Sequence, residues 1–166
     1  MYKLREYCND DLDEILKLFY ETVHRVNRFD YDDEELDAWA PKEPNTAKWK
    51  YDLENSYTVV AVDDDGKIVG FGNLVRYGYL DRLYVHKDHQ NQGIATLICG
   101  HFEELCKQNE KRSIIVEASI TAQRFFERRH YKTVKKQKVY RNGCWLTNYV
   151  MEKSFTTIDD LTLSGD

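Results

Sequence analysis

The stretch from Tyr79 to Ala118 constrains the fold more than any other part of the chain. It reads as a strand ending in Leu83-Tyr84-Val85, a glycine-bearing turn Gln90-Asn91-Gln92-Gly93-Ile94-Ala95, a helix, and a second strand at Ser113–Ala118. Ile94, Leu97, Ile98, Phe102 and Leu105 recur at i, i+3, i+4 spacing and mark the inward face of that helix, expected from Asn91 to near Gln108. A strand–helix–strand connection is right-handed by default, so the two strands should lie side by side and parallel. The turn also has a chemical consequence. A glycine-bearing helix start leaves backbone N–H groups without partners at the positive end of the helix dipole, which suits a pyrophosphate. The run lacks the G-x-G-x-x-G of a dinucleotide site and the G-K-[ST] of a P-loop. Taken alone it also fits an ordinary helix start.

Tyr2–Tyr7 alternates as a first strand. A helix capped by Asn9 or Asp10 should follow, burying Leu12, Ile15, Leu16, Phe19, Val23 and Val26 and fading near Asn27. Glu34–Trp39 reads as a short helix stopped before Pro41, and Thr46–Glu54 as another with Thr46 as its cap. Thr58–Val62 and Lys67–Val75 form a hairpin about Asp63-Asp64-Asp65-Gly66, and Tyr77-Gly78 turns into the strand from Tyr79. After Ser113–Ala118 come a helix at Thr121–Arg129 with Ala122, Phe125 and Phe126 inward, and a hairpin of Lys132–Tyr140 with Cys144–Met151 about Asn142-Gly143. This order predicts an α/β or α+β sheet with helices on both faces.

The chain of 166 residues fits one domain, expected over 1–153 with a polar tail at 154–166. No apolar run reaches the roughly 18 residues that span a bilayer, and the first residues hold no apolar signal core. A cytoplasmic location without a membrane partner is therefore expected. Cys8, Cys99, Cys106 and Cys144 match no zinc spacing and read as reduced, mostly buried thiols. The five histidines make no metal cluster with carboxylates. A net charge of −5 argues against bulk nucleic-acid binding. Acid crowds Asp30–Asp37, and base crowds Arg124–Lys138. Each cluster reads as a solvated face, or as complementary attraction of a cationic substrate and of phosphates.

Two blocks carry a family resemblance. The Q-x-x-G-x-A run at Gln90–Ala95 resembles the acyl-CoA-binding turn of the GNAT N-acetyltransferase superfamily. Ser119-Ile120-Thr121-Ala122-Gln123-Arg124-Phe125-Phe126-Glu127-Arg128-Arg129-His130-Tyr131 is similar to that family's [NS]-x-x-A-x-x-F-Y-E-x-x-G-F block, in the family order. The likeness covers roughly Tyr2 to Lys153. It extends to a bacterial subgroup with D-Y and A-W-A-P segments, here Asp30-Tyr31 and Ala38-Trp39-Ala40-Pro41. It implies a mixed, largely antiparallel twisted sheet of about seven strands with a central parallel pair that splays. It also implies transfer of acetyl from the cosubstrate acetyl-CoA directly to a primary amine of a small molecule, peptide or protein, with no metal. Oligomeric state is not fixed, and a homodimer is compatible.

Carried over residue by residue, the resemblance implies that Leu83, Tyr84 and Val85 offer backbone groups to the pantetheine arm. Gln90, Asn91, Gln92, Gly93, Ile94, Ala95 and Thr96 would cradle the pyrophosphate. Ser119 would bond the cofactor arm or cap the next helix. Phe126 stands where many members carry the tyrosine assigned as general acid, and His130 where glycine is usual. The missing hydroxyl motivates an alternative, an acyl-CoA-binding sensor with little or no turnover. A third reading, a nucleic-acid modifier, draws on the late basic cluster and is opposed by the net acidity.

An amine with a lysine-like pKa of about 10.4 is mostly protonated at pH 7, so a carboxylate must take a proton directly or through water. Asp81 is the first candidate, on the central strand just before the splay and on the face of Tyr79, the position matching the glutamate base of some histone-type members. Glu117, ending the facing strand, is the second. Each also reads as a structural carboxylate paired with Arg or Lys. His24 is either a buried, hydrogen-bonded histidine or a substrate contact. Tyr31, Trp39 and Phe29 either wall an acceptor pocket or pack in the core. His86 and His89 are expected to be solvated.

Overall fold

The computed structural model describes residues 1–155, and the expected polar tail lies, from Thr156 onward, outside the described residues. In chain order the elements are β1 (Lys3–Glu6), α1 (Leu12–Val26), α2 (Asp33–Trp39), α3 (Thr46–Glu54), β2 (Tyr57–Val62), β3 (Ile68–Val75), β4 (Tyr79–Val85), α4 (Ile94–Gln108), β5 (Ser113–Ser119), α5 (Gln123–Arg128), β6 (Lys132–Arg141) and β7 (Cys144–Ser154). The seven strands form one mixed sheet in the order β1-β2-β3-β4-β5-β7-β6. Only the β4–β5 pair is parallel, as the crossover argument requires.

Alternation divides the core between the two faces. Val59, Ala61, Val69, Leu74 and Leu80 pack with Ile94, Ile98, Phe102 and Phe126 on the face of α4 and α5. Val60, Ile68 and Phe71 pack with Ile15, Phe19, Val23, Leu36, Trp49 and Leu53 on the face of α1, α2 and α3. Helix α4 lies directly on β3. A Cβ built on Gly72 would stand 2.8 Å from Arg82 O and 2.9 Å from Phe102, and one on Gly70 would stand 2.7 Å from Ile94. Bare backbone at these two positions sets the depth at which α4 sits.

Several local expectations are corrected. The first helix is not capped by Asn9 or Asp10. A 3-10 turn at Asn9–Asp11 precedes α1, and the carboxylate of Asp11 accepts from Cys8 N at 2.9 Å while pairing with Arg5 at 2.8 Å. Helix α2 is capped by Asp32, which accepts from Glu35 N at 2.8 Å while Glu35 accepts from Asp32 N at 3.0 Å. Helix α3 is capped by Asn45 rather than Thr46, through Lys48 N at 3.1 Å. Helix α4 begins at Ile94, three residues later than expected, because Asn91 and Gly93 have φ of 60° and 82°, outside the helical region. Leu97 faces outward. His86 is buried rather than solvated, its Nδ1 accepting from Asp88 N at 3.1 Å. Of the four free cysteines, Cys99 and Cys106 are buried, Cys8 is exposed and Cys144 is half-buried.

Candidate active site

Strands β4 and β5 pair at two positions, Tyr79↔Ile115 and Leu80↔Val116, and then part. On the other side of β4, the register with β3 steps from Asn73↔Arg82 to Leu74↔Leu80. Asp81 is therefore an extra residue, a β-bulge, set where the parallel pairing ends. The bulge breaks strand alternation, so Tyr79, Asp81, Arg82 and Tyr84 all line one cleft of about 440 Å³ on the α1–α3 side of the sheet.

The bulge also fixes which main-chain groups face the gap. His86 N donates to Val69 O at 2.8 Å, continuing the β3 ladder. By the alternation of an antiparallel ladder, the backbone of Tyr84 and Arg82 then turns to β3, and that of Leu83 and Val85 turns to the gap. Of the three residues expected to offer backbone groups there, Tyr84 offers its ring to the cleft instead. The carbonyl of Val85 is already engaged, accepting from Gln90 Nε2 at 2.7 Å and from Thr22 Oγ1 at 3.0 Å. The Gln90 side chain thus braces the turn.

At the far end of the gap the turn into α4 presents main chain outward. The N–H groups of Gly93, Ile94, Ala95 and Thr96 have no hydrogen-bond acceptor among the described residues, and Leu97 N is the first to bond back, to Gly93 O at 3.0 Å. A Cβ on Gly93 would meet nothing within 4 Å, so the turn is open on that side. Four free donors at a helix N-terminus suit a diphosphate. The side chain of Gln92 accepts from Tyr2 Oη, which also bonds His89 Nδ1 at 3.1 Å, tying the turn to the chain's start.

The cleft holds both predicted carboxylates, in different company. Asp81 Oδ2 accepts from Arg82 Nη1 at 2.8 Å and Asn73 Nδ2 at 3.2 Å, which leaves Oδ1 without a partner among the described residues. Arg82 continues to Asp52 Oδ2 at 2.9 Å, and its guanidinium lies 4.3 Å from the Trp49 ring centre. Glu117 accepts from two neutral donors, Tyr79 Oη at 3.1 Å and Gln137 Nε2 at 2.9 Å. Burial, followed by the charges of Glu117 and Asp81, pushes the Tyr79 hydroxyl well above the usual tyrosine value. Burial likewise lifts Tyr84 and Tyr31 to about 12, so all three phenols stay protonated at neutral pH.

Tyr31 and Trp39 line the cleft, and their polar atoms are engaged. Tyr31 Oη donates to Thr147 O at 2.7 Å and accepts from Ile120 N at 2.9 Å; Trp39 Nε1 donates to Tyr84 Oη at 3.2 Å. Ser119 lines the cleft and caps the next turn, its Oγ accepting from Ala122 N at 3.1 Å. His24 is not brought to the cleft; its Nε2 donates to Ala40 O at 2.8 Å. Phe29 is 80% exposed and lies elsewhere. Phe126 is 2% exposed, its ring 5.0 Å from that of Tyr131 and 5.1 Å from that of Phe125, and it has no proton to give. None of the Asp30–Asp37 carboxylates lines the cleft. Most of the late basic cluster lies on the exposed edge strand β6, separated from β4 by β7 and β5. Sequence reasoning missed Arg82, Trp49, Asn148 and Arg141 as cleft residues. Strict alternation would put Arg82 on the face opposite Asp81, and only the bulge turns both the same way.

The sequence and the fold that carry this cleft are similar to those of known proteins. Residues 27–153 match the acetyltransferase (GNAT) domain. The N-acetyltransferase YafP of Escherichia coli K12 is 31% identical over 149 residues, 90% of this chain and 93% of its own length. A solved GCN5-related N-acetyltransferase from Rhodopseudomonas palustris superposes with a TM-score of 0.89 at 31% identity, covering 92% of this chain and 95% of the other. The PaiA N-acetyltransferase of Thermoplasma acidophilum, solved with coenzyme A, shares the fold at 14% identity, with a TM-score of 0.72 over 93% of this chain and 99% of its own. The chain belongs to the GNAT family of N-acetyltransferases, enzymes that acetylate at the expense of acetyl-CoA.

Proposed function

We propose that the protein transfers acetyl directly to a primary amine seated in the Asp81–Glu117 cleft. The observation that carries this is the parting of β4 from β5 at the Asp81 bulge, which joins the donor-rich Gly93 turn to a cleft with two carboxylates. Acetyl-CoA supplies an activated acyl carbon and a thiolate leaving group. The diphosphate rests on the N–H groups of Gly93 to Thr96, and the pantetheine arm runs beside the gap-facing backbone of Leu83 and Val85. The Leu83 N–H donates to the thioester carbonyl oxygen as negative charge builds there; one such donor is worth about 3 kcal/mol. Asp81, with one oxygen free, draws the acceptor's ammonium and takes its proton directly or through water. Glu117 is the second candidate for that step. Phe126 provides no acid. A thiol with a cysteine-like pKa near 8.5 leaves tolerably as thiolate, and a general acid is worth about 10²–10⁴-fold, so chemistry is slowed and not forbidden. Water or a cleft hydroxyl can serve.

The test is thiol release from acetyl-CoA across a panel of amines. Amine-dependent release is expected, with kcat falling about 10²-fold or more in Asp81→Asn and less in Glu117→Gln. Tight CoA binding with no release from any amine would overturn the reading. Equal loss in both variants would assign the two carboxylates a shared role.

A further inference from the structure

Five charged side chains line the cleft: Lys48, Asp81, Arg82, Glu117 and Arg141. Three of them belong to one neutralised group. Lys48 pairs with Asp52 at 2.7 Å, Arg82 with Asp52 at 2.9 Å, and Arg82 with Asp81 at 2.8 Å. The remaining two have no oppositely charged partner among the described residues. Glu117 is held by a phenol and an amide, and Arg141 donates only to the carbonyl of its neighbour Tyr140, at 3.0 Å.

The cleft therefore presents one uncompensated anion and one uncompensated cation. Arg141 sits at the tip of the β6–β7 hairpin, on the same strand as Val139, another lining residue. The next residue, Asn142, donates to Ala38 O at 2.7 Å, which ties the tip beside Arg141 to the end of α2. The same cleft is also lined by the aromatic rings of Tyr31, Trp39, Tyr79 and Tyr84. The charge of Arg141 reaches one of these rings. After burial and the pull of Glu117 and Asp81 raise the Tyr79 hydroxyl, Arg141 acts in the opposite sense.

From these charges we infer that the acceptor is zwitterionic, an amino-acid-like molecule whose amine faces Glu117 and Asp81 and whose anionic group is bound by Arg141. The inference rests on the acetyl-transfer reading and adds the substrate class. A cleft of about 440 Å³ suits an amino acid or a short peptide with a free amino group. An arginine lining the cleft can donate two hydrogen bonds to a planar carboxylate, and can bind a phosphonate as well.

The experiment compares kcat/KM for aromatic amino acids, dipeptides and ω-amino acids of increasing length, each beside its own carboxamide and, where available, its phosphonate. For at least one length the acid should exceed its carboxamide about tenfold or more. Arg141→Gln should abolish that preference by raising KM for the acid, while kcat/KM for the carboxamide stays within about twofold. Arg141→Lys should restore part of it, more for phosphonate than for carboxylate. Measured CoA affinity of each variant confirms that it is folded. Turnover with acid and carboxamide equal at every length, or a preference that survives Arg141→Gln, overturns the inference and leaves acetyl transfer standing. No thiol release from any amine overturns both.

Discussion

Gly93 is the residue on which cosubstrate binding turns. Its φ of 82° costs an L side chain about 1 kcal/mol or more, yet a Cβ there would meet nothing within 4 Å. A substitution is thus strained locally, while its larger effect falls on whatever approaches the turn. Gly93→Glu places a carboxylate among the four free N–H groups, where it competes with a diphosphate for donors and repels it. The expected result is CoA binding weakened about tenfold or more by calorimetry, with a thermal midpoint lowered by only a few degrees. Tyr31 is the opposite kind of residue, since its hydroxyl bonds Thr147 O and Ile120 N across three segments. Tyr31→Phe leaves that half-buried N–H and carbonyl without their partner and should cost about 1 kcal/mol in urea unfolding. At this scale the sequence shows which residues have chemistry to offer and not which of their atoms are spoken for. Asp81, Glu117, Tyr31, Trp39 and Tyr79 do meet in one cleft, but the orientation of Tyr84's backbone and the presence of Arg82 depend on a bulge that no spacing rule signals.

Helix α4 must sit close enough to β3 to aim its N-terminus at the gap, and glycines at 70 and 72 allow it. Gly72→Ala forces contacts under 3.0 Å with Arg82 O, a backbone atom of β4, and with Phe102 of α4. The methyl cannot be accommodated by a side-chain rotation alone. It should destabilise the fold by about 1–3 kcal/mol and weaken CoA binding in parallel, because the same contact pushes on both walls of the gap. Calorimetry and urea unfolding on the one variant check both. Loss of stability with unchanged CoA affinity would show that α4 moves as a unit without disturbing β4. Elements were the most legible level of this chain. Periodicity, turn signals and β-branching together located each of these α-helices and strands, and the crossover rule made β4 and β5 parallel neighbours. The starts of α3, β4, β5, β6 and β7 fall where expected; what escaped was the start of α4 and the residues that cap the helices. Caps are decided by one side chain finding one N–H, and Asp32 and Asn45 each stand beside another residue able to cap, Asp33 and Thr46.

Across the described residues, three carboxylates each fasten a helical segment to the sheet through a basic side chain, Arg5, Arg82 or Lys153. Asp11, at the start of α1, holds Arg5 of β1; Asp52 of α3 holds Arg82 of β4; and Glu103 of α4 holds Arg129 after α5 at 2.6 Å and Lys153 of β7 at 3.2 Å. The Arg5 hydrogen bond lowers Asp11 against the opposing effect of burial. Burial alone would raise Asp52 and Glu103, but bonds from Lys48 and Arg82, and from Arg129 and Tyr131, outweigh it and leave both below the ordinary carboxylate value. A folded pKa lower than the unfolded one gives stability that is complete above the unfolded carboxylate pKa, near 4, and lost as pH falls through the folded value. Unfolding midpoints in urea should therefore begin to fall below about pH 6.5, where burial keeps His86 neutral in the fold while the unfolded chain protonates it, and fall steeply below about pH 4, with helices on both faces loosening together. Glu103→Gln should cost about 3 kcal/mol at pH 7, since it leaves Arg129 and Lys153 without their shared anion, and should make the acid slope shallower because one depressed carboxylate is gone. Asp52→Asn should cost less stability and more activity, because Arg82 then has only Asp81 to hold and turns that carboxylate away from the acceptor amine. A Glu103→Gln variant with an unchanged acid slope would mean that this buried cluster is not what couples α4 to the sheet.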